Sequence, residues 1–172
     1  YISYPEVLQV SSNVGMVKIM QNLNPLIYWE WLNKLGISNK IATDIYESTP
    51  GQLKSKDIFI NQPIEQAVTS FGQGLSISPL KLAQLHALLA NGGYEVTPHV
   101  TYDFKKLNLD KPKNRIFSEH VSETILEWME TVVEEGSGKG AKIDGYRIGG
   151  KTGTSQKANN GIYTEKKACS FI

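Results

Sequence analysis

With a single cysteine, Cys169, in 172 residues, the chain cannot form an intrachain disulfide, and it holds no Cys/His cluster with metal-ligand spacing. It has no apolar run long enough to span a bilayer and no visible signal peptide. Charge of one sign is scarce too: 18 Lys and Arg stand against 17 Asp and Glu, and no run of like charge exceeds a few residues. That balance argues against nucleic acid or an anionic membrane surface as an electrostatic partner. We expect no nucleic-acid partner, no metal and no cofactor. What is present fits a globular domain: hydrophobic residues make up 40% and charged ones 20%, and the length suffices for one substantial core. The chain starts at Tyr1 and stops inside the apolar, strand-like run Ala168 to Ile172, without turn or cap. We expect a piece cut from a longer polypeptide.

The stretch Gly149-Gly150-Lys151-Thr152-Gly153-Thr154-Ser155 organises the rest. It reads as a Gly-rich strand with one cation and three hydroxyls, against which a substrate backbone can lie closely. Asn159-Asn160-Gly161 is a turn signal and Ile162 to Ile172 reads as a second strand, so 145–156 and 162–172 are predicted to form an antiparallel hairpin. Strand alternation puts Thr152 and Thr154 on one face, Lys151 and Gly153 on the other. Two hydroxyls beside an ammonium suit a carboxylate ligand, and a free strand edge suits an extended peptide. Gly145 to Thr152 also matches the phosphate-binding G-x-x-x-x-G-K-[ST] pattern. Such a loop follows a buried apolar strand and opens a helix. Ala141 to Asp144 is too short and polar for that strand, and Gly153 to Gly161 has no helical pattern, so a nucleotide-binding protein is the weaker alternative.

Along the chain, Tyr1 to Val10 is short and mixed, with Pro5 breaking it. Ser11-Ser12-Asn13 sits at the start of a helix running from Val14 to Met20, where Ser and Asn cap well. Asn24-Pro25 opens a second helix that Gly36 stops. Residues 37–63 read as a surface excursion with a turn at Pro50-Gly51. Ile64 to Phe71 reads as a short helix. Ser78-Pro79 opens a helix from Leu80 to Asn91 with almost no polar face, predicted as the central core element, and His86 within it reads as a core histidine. Tyr94 to Phe104 reads as a strand, and Lys105 to Arg115 as a polar loop. Ser118 caps a helix over Glu119 to Glu135, with an apolar stripe of Val121, Ile125, Trp128, Met129 and Val132 and a solvated face of Glu123, Glu127, Glu130 and Glu134. The run 136–140 then delivers the chain to the Lys-Thr-Gly strand.

Ser11-x-Asn13, followed 140 residues later by Lys151-Thr152-Gly153, resembles the ordered second and third motifs of penicillin-binding transpeptidases. The flanks extend the likeness. Ser11 to Lys18 is similar to the helix entry after the second motif in class B penicillin-binding proteins. Phe71 to Leu80 resembles that family's glycine turn into its buried helix, and Gly145 to Gln156 its third motif with both flanks. The resemblance covers essentially the whole chain and is nearest to the septal, cell-division type, with the elongation type as an alternative.

The resemblance implies an α/β fold of the penicillin-binding/β-lactamase-like kind, an antiparallel sheet flanked by helices. This chain would be a partial transpeptidase domain over 1–172, mostly helical, with a two-stranded hairpin at 145–172. The resemblance implies a peptidoglycan D,D-transpeptidase that crosslinks stem peptides through a serine acyl-enzyme and is trapped by β-lactams. Its partners would be stem peptides, β-lactams and membrane proteins of the division complex. It would sit at the periplasmic face of a bacterial cell membrane, through an N-terminal anchor outside this chain. Ser11 would relay a proton, Asn13 orient the substrate amide, and Lys151 hold the Ser11 hydroxyl and add positive potential. Thr152, Gly153 and Thr154 would bind substrate, with the Thr154 N–H in the oxyanion hole. Ser12 has no assigned role. The pattern departs from the family in one respect: no S-x-x-K precedes Ser11. The one that occurs, Ser78-Pro79-Leu80-Lys81, comes in the wrong order, and Ser78 is explained as a cap. The nucleophile is expected upstream of Tyr1, leaving this chain alone inactive. A non-catalytic β-lactam-sensing or peptidoglycan-binding homologue is the alternative in a different class.

Overall fold

The computed structural model describes residues 1–44, 48–101, 114–159 and 162–171, with side chains given through Thr154. Seven helices precede a hairpin among these residues: α1 (Tyr4–Gln9), α2 (Asn13–Met20), α3 (Pro25–Lys34), α4 (Lys56–Asn61), α5 (Pro63–Ser70), α6 (Pro79–Ala90) and α7 (Glu119–Glu134), then β1 (Thr152–Asn159) and β2 (Ile162–Phe171).

Local chemistry sets most helix starts. Asn24 accepts from the Leu26 amide, Ser78 from that of Lys81 and Ser118 from that of Val121, each satisfying an N–H that the first helical turn leaves unpaired. Tyr1 to Val10 is not the broken stretch that Pro5 suggests. Pro5 lies in the first turn of α1, where its missing N–H is not needed, and Ser3 and Glu6 form a reciprocal capping box.

The hub of the packing is α7, not α6. Its Met129, Val132 and Val133 are buried, and it packs against α1, α6 and the 3-10 turn Lys139–Ala141. The stripe predicted for α7 holds at Met129 and Val132, while Val121 is exposed. The acidic face is only partly solvated, because Glu130 pairs with Arg147 and Glu134 with Lys142 as the chain returns along the helix. In α6 the most buried residues are Lys81, Gln84 and Leu88, and its other leucines are half-buried. Composition alone overstated its burial, since one flank of α6 borders a cavity. The Ser122 hydroxyl donates to the Leu89 carbonyl and ties α6 to α7.

Residues 37–63 are not a surface excursion. Ile37, Ile41 and Phe59 are buried, and Phe59 meets the Tyr28 ring edge-to-face at 5.3 Å. A Cβ on Gly51 would lie 2.3 Å from the Ser76 carbonyl oxygen, so this segment threads where only glycine fits. These contacts bring α3, α4 and α5 together, and the Gln66 amide donates to the carbonyls of Phe59 and Ile60 at the α4–α5 corner. Burial pushes the Tyr28 phenol up to about 12.

Tyr94 to Thr101 forms no strand; it makes one bridge, Tyr94 with Arg115. Pro98 removes a ladder donor there, and Gln84 and Asp44 take up nearby backbone groups instead: Gln84 donates to the Val96 carbonyl, and Asp44 accepts from the Val100 amide. The predicted polar loop falls mainly on 102–113, outside the described residues. The hairpin is present and antiparallel, with Thr152 opposite Phe171, Thr154 opposite Cys169 and Asn159 opposite Ile162. Its register shifts between Gln156 and Ala158. Of the predicted tip, Asn160 and Gly161 lie outside the described residues. The first strand begins at Thr152 rather than Gly145, because 145–151 runs against α7: the Gly150 amide donates to the Met129 carbonyl at 3.2 Å.

Candidate functional site

Three short stretches meet at the site. The first is the turn between α1 and α2. A Cβ on Gly15 would lie 2.7 Å from the Val7 methyls, so the two helices approach closely there. The turn places Ser11 at φ 55°, a left-handed conformation that serine adopts at a cost. Ser12 is the N-cap of α2, accepting from the Gly15 amide at 3.1 Å. The division of labour between adjacent serines is thus clear: Ser12 serves the helix, and Ser11 keeps a hydroxyl for other use. Asn13, in the first turn of α2, is exposed beside it.

The second stretch is the approach to β1. Gly149 would place a Cβ 3.3 Å from the Met129 Cβ, and Gly150 is bonded to Met129, so both seat Lys151 close to α7. Lys151 Nζ donates to Ser11 Oγ at 2.7 Å across 140 residues of sequence. It also donates to the Thr152 carbonyl at 3.0 Å and reaches Thr152 Oγ1 at 3.4 Å. Every one of these acceptors is neutral. Among the described residues no carboxylate forms an ion pair with Lys151. Burial lowers its pKa from the ordinary lysine value. A half-buried cation whose described partners are all neutral is chemically suited to an anion. Thr152 and Gly153 are half-buried and Thr154 is exposed at the start of β1.

The third stretch carries no signal in the sequence. After α7, the Ser137 amide donates to the Gln9 carbonyl at 3.0 Å, and its Oγ lies 3.0 Å from Thr152 Oγ1. Ser137 sits in a glycine-rich run that reads as an ordinary helix exit, and no local pattern marks it.

Other sequence-level candidates take structural roles. Ser78 caps α6, and Lys81 Nζ is buried against Gln84 Oε1 at 2.7 Å, so the S-x-x-K at 78–81 is not a nucleophile–base pair. The phosphate-loop alternative is overturned, because Thr152 onward is strand where that loop needs a helix. His86 Nδ1 lies 2.8 Å from the Leu82 carbonyl in its own helix. Beneath Lys151 lies a cavity of about 530 Å³ lined mainly by apolar side chains of α1, α2, α6 and α7, among them Leu8, Met16, Leu89 and Trp128. Among the described residues, no helix is long and apolar enough to cross a membrane, and no group of three His, Cys, Asp or Glu side chains could hold a metal ion.

Ser11 on its turn, Asn13 at the start of α2 and Lys151 just ahead of β1, bonded to Ser11, are the polar groups that frame the site. The chain belongs to the penicillin-binding protein transpeptidase domain family, whose model matches residues 1–172. It is 42% identical to the peptidoglycan D,D-transpeptidase FtsI homolog of Mesostigma viride over 96% of this chain and 31% of that protein. Among solved structures, the transpeptidase domain of Burkholderia pseudomallei penicillin-binding protein 3 superposes with a TM-score of 0.88 at 28% identity, covering 99% of this chain and 51% of that one. Penicillin-binding protein 3 of Mycobacterium tuberculosis in complex with ampicillin gives a TM-score of 0.85 at 25% identity, covering 98% of this chain and 40% of that one. The chain therefore spans about a third of the length of the curated relative and about half or less of these structures.

Proposed function

We propose that this chain is the C-terminal part of the transpeptidase domain of a septal peptidoglycan D,D-transpeptidase. The observation that carries the reading is the Lys151 Nζ to Ser11 Oγ hydrogen bond of 2.7 Å, which joins two motifs 140 residues apart. In the whole protein a serine upstream of Tyr1 attacks the carbonyl of the penultimate D-Ala of a stem peptide. The C–N bond breaks, and the terminal D-Ala leaves as an amine after taking a proton. A second stem's amine then attacks the ester, loses a proton and restores the serine hydroxyl. Ser11 carries the proton between nucleophile and leaving group. Lys151 holds Ser11 and, with Thr152 and Thr154, receives the substrate carboxylate. Asn13 orients the substrate amide, and Gly153 leaves room for the peptide backbone. β-Lactams enter the same site as stem mimics; the ampicillin complex of the Mycobacterium tuberculosis relative supports this. The whole protein works at the outer face of a cell membrane with membrane proteins of the division complex.

The test is to incubate the full-length protein with a fluorescent penicillin and map the adduct by mass spectrometry. A single adduct on a serine N-terminal to Tyr1 is expected, formed about 10- to 100-fold more slowly in Lys151→Ala, the range for losing a hydrogen bond to a charged group. An adduct on Ser11 or Ser78, or none at all, would overturn the reading.

A further inference from the structure

We propose that Ser137 is a positioning residue for substrate carboxylate recognition, acting through the hydroxyl of Thr152; the inference rests on the transpeptidase reading above. Thr152 Oγ1 has Lys151 Nζ at 3.4 Å and Ser137 Oγ at 3.0 Å. A hydroxyl has one proton to give and two lone pairs to receive. The ammonium can only donate. When Ser137 donates as well, both lone pairs of Thr152 are engaged, and its own proton is left to point away from them, toward an incoming carboxylate. Without Ser137, Thr152 can turn its proton to water, and the carboxylate must reorient it on arrival.

Ser137 is held for this task from two sides. Its amide donates to the Gln9 carbonyl, two residues before Ser11, and the neighbouring Gly138 amide donates to the Val132 carbonyl of α7 at 2.9 Å. Gly136 fixes the approach, since a Cβ there would lie 2.4 Å from the Gln9 oxygen. The result is a closed ring. Gln9 holds Ser137, Ser137 holds Thr152, the adjoining Lys151 holds Ser11, and Ser11 leads back along the turn to Gln9. Ser137 is exposed, so its hydroxyl contributes nothing to core packing, and its removal acts on the ring and not on the fold.

The test uses the full-length protein and two probes, a penicillin and the methyl ester of the same penicillin, which has no carboxylate charge. Ser137→Ala should slow acylation by the free acid about three- to tenfold, the range for one neutral hydrogen bond, and leave acylation by the ester at the wild-type rate. Ser137→Thr should restore the free-acid rate, and Ser137→Val, equal in shape to Thr, should not. Equal losses on acid and ester, no loss on either, or matching rates for the Thr and Val variants would overturn the proposal. A wild-type protein that neither compound acylates would instead refute the transpeptidase reading itself, and this proposal with it.

Discussion

Lys151 shows most directly how one side chain's surroundings fix its chemistry. Its ammonium is half-buried, bonded to Ser11 Oγ and to two oxygens of Thr152, and among the described residues no carboxylate offsets its charge. Burial disfavours the charged form, so the proton leaves at a lower pH than from a solvated lysine. On the proposed role the sign of the consequence follows: the attraction for a carboxylate is present while Lys151 is charged and fades as pH rises through its lowered pKa. In the full-length protein the acylation rate with penicillin should therefore fall on an alkaline limb that begins below the ordinary lysine range. Lys151→Arg stays charged throughout and should remove that limb even where it lowers the rate. A native rate that stays level through the lysine range would count against Lys151 as the anion receptor. The meeting of Lys151 with Ser11 was legible in the sequence, because the two motifs stand in the order and with the flanks of a known pair. The role of Ser137 was not. Its importance comes from the Gln9 carbonyl and Thr152, and neither neighbour can be read from the glycines around it.

Among the elements, the site depends on the junction of α1, α7 and the approach to β1. Gly136 is its tightest point, with the Gln9 oxygen 2.4 Å, Gln9 Cγ 2.8 Å and the Val132 oxygen 2.9 Å from where a Cβ would stand. Two of these neighbours are backbone, so neither can yield by a rotamer change. Gly136→Ala should destabilise the protein by about 1–3 kcal/mol, the usual cost of overpacking. It should also slow penicillin acylation, because the shift carries Ser137 and the turn before Ser11 apart. A thermal melt and an acylation rate on the same sample check both; a variant unchanged in each would show that the junction has slack. Helix starts were legible here, since Asn24, Ser78 and Ser118 are local signals that act locally. Burial was less so. The apolar run of α6 gave no sign that one flank borders a cavity, and Ile37, Ile41 and Phe59 are too scattered to show a period, yet tertiary contacts bury all three.

For the whole molecule, the chain carries two of the three motifs that the resemblance leads one to expect, and no S-x-x-K stands before Ser11 in its sequence. A serine hydroxyl is a weak nucleophile without a base in reach, and Ser11 is bonded to an ammonium that donates to it. Purified alone and incubated with fluorescent penicillin, the 172-residue chain should give no covalent adduct after denaturation. Stoichiometric label on Ser11 or Ser78 would show that a nucleophile is present after all. The family and the hairpin were legible because short motifs keep their order and flanks, whereas the strand start at Thr152 depends on how 145–151 lies against α7.

The 140 residues between Ser11 and Lys151 also have a meaning in time. At about 5–20 residues per second, the ribosome completes Ser11 roughly 7–28 s before Lys151. Through that interval the nascent chain carries Ser11 without the cation that bonds to it. The pair forms only once Lys151 has been made and has folded back to the turn between α1 and α2.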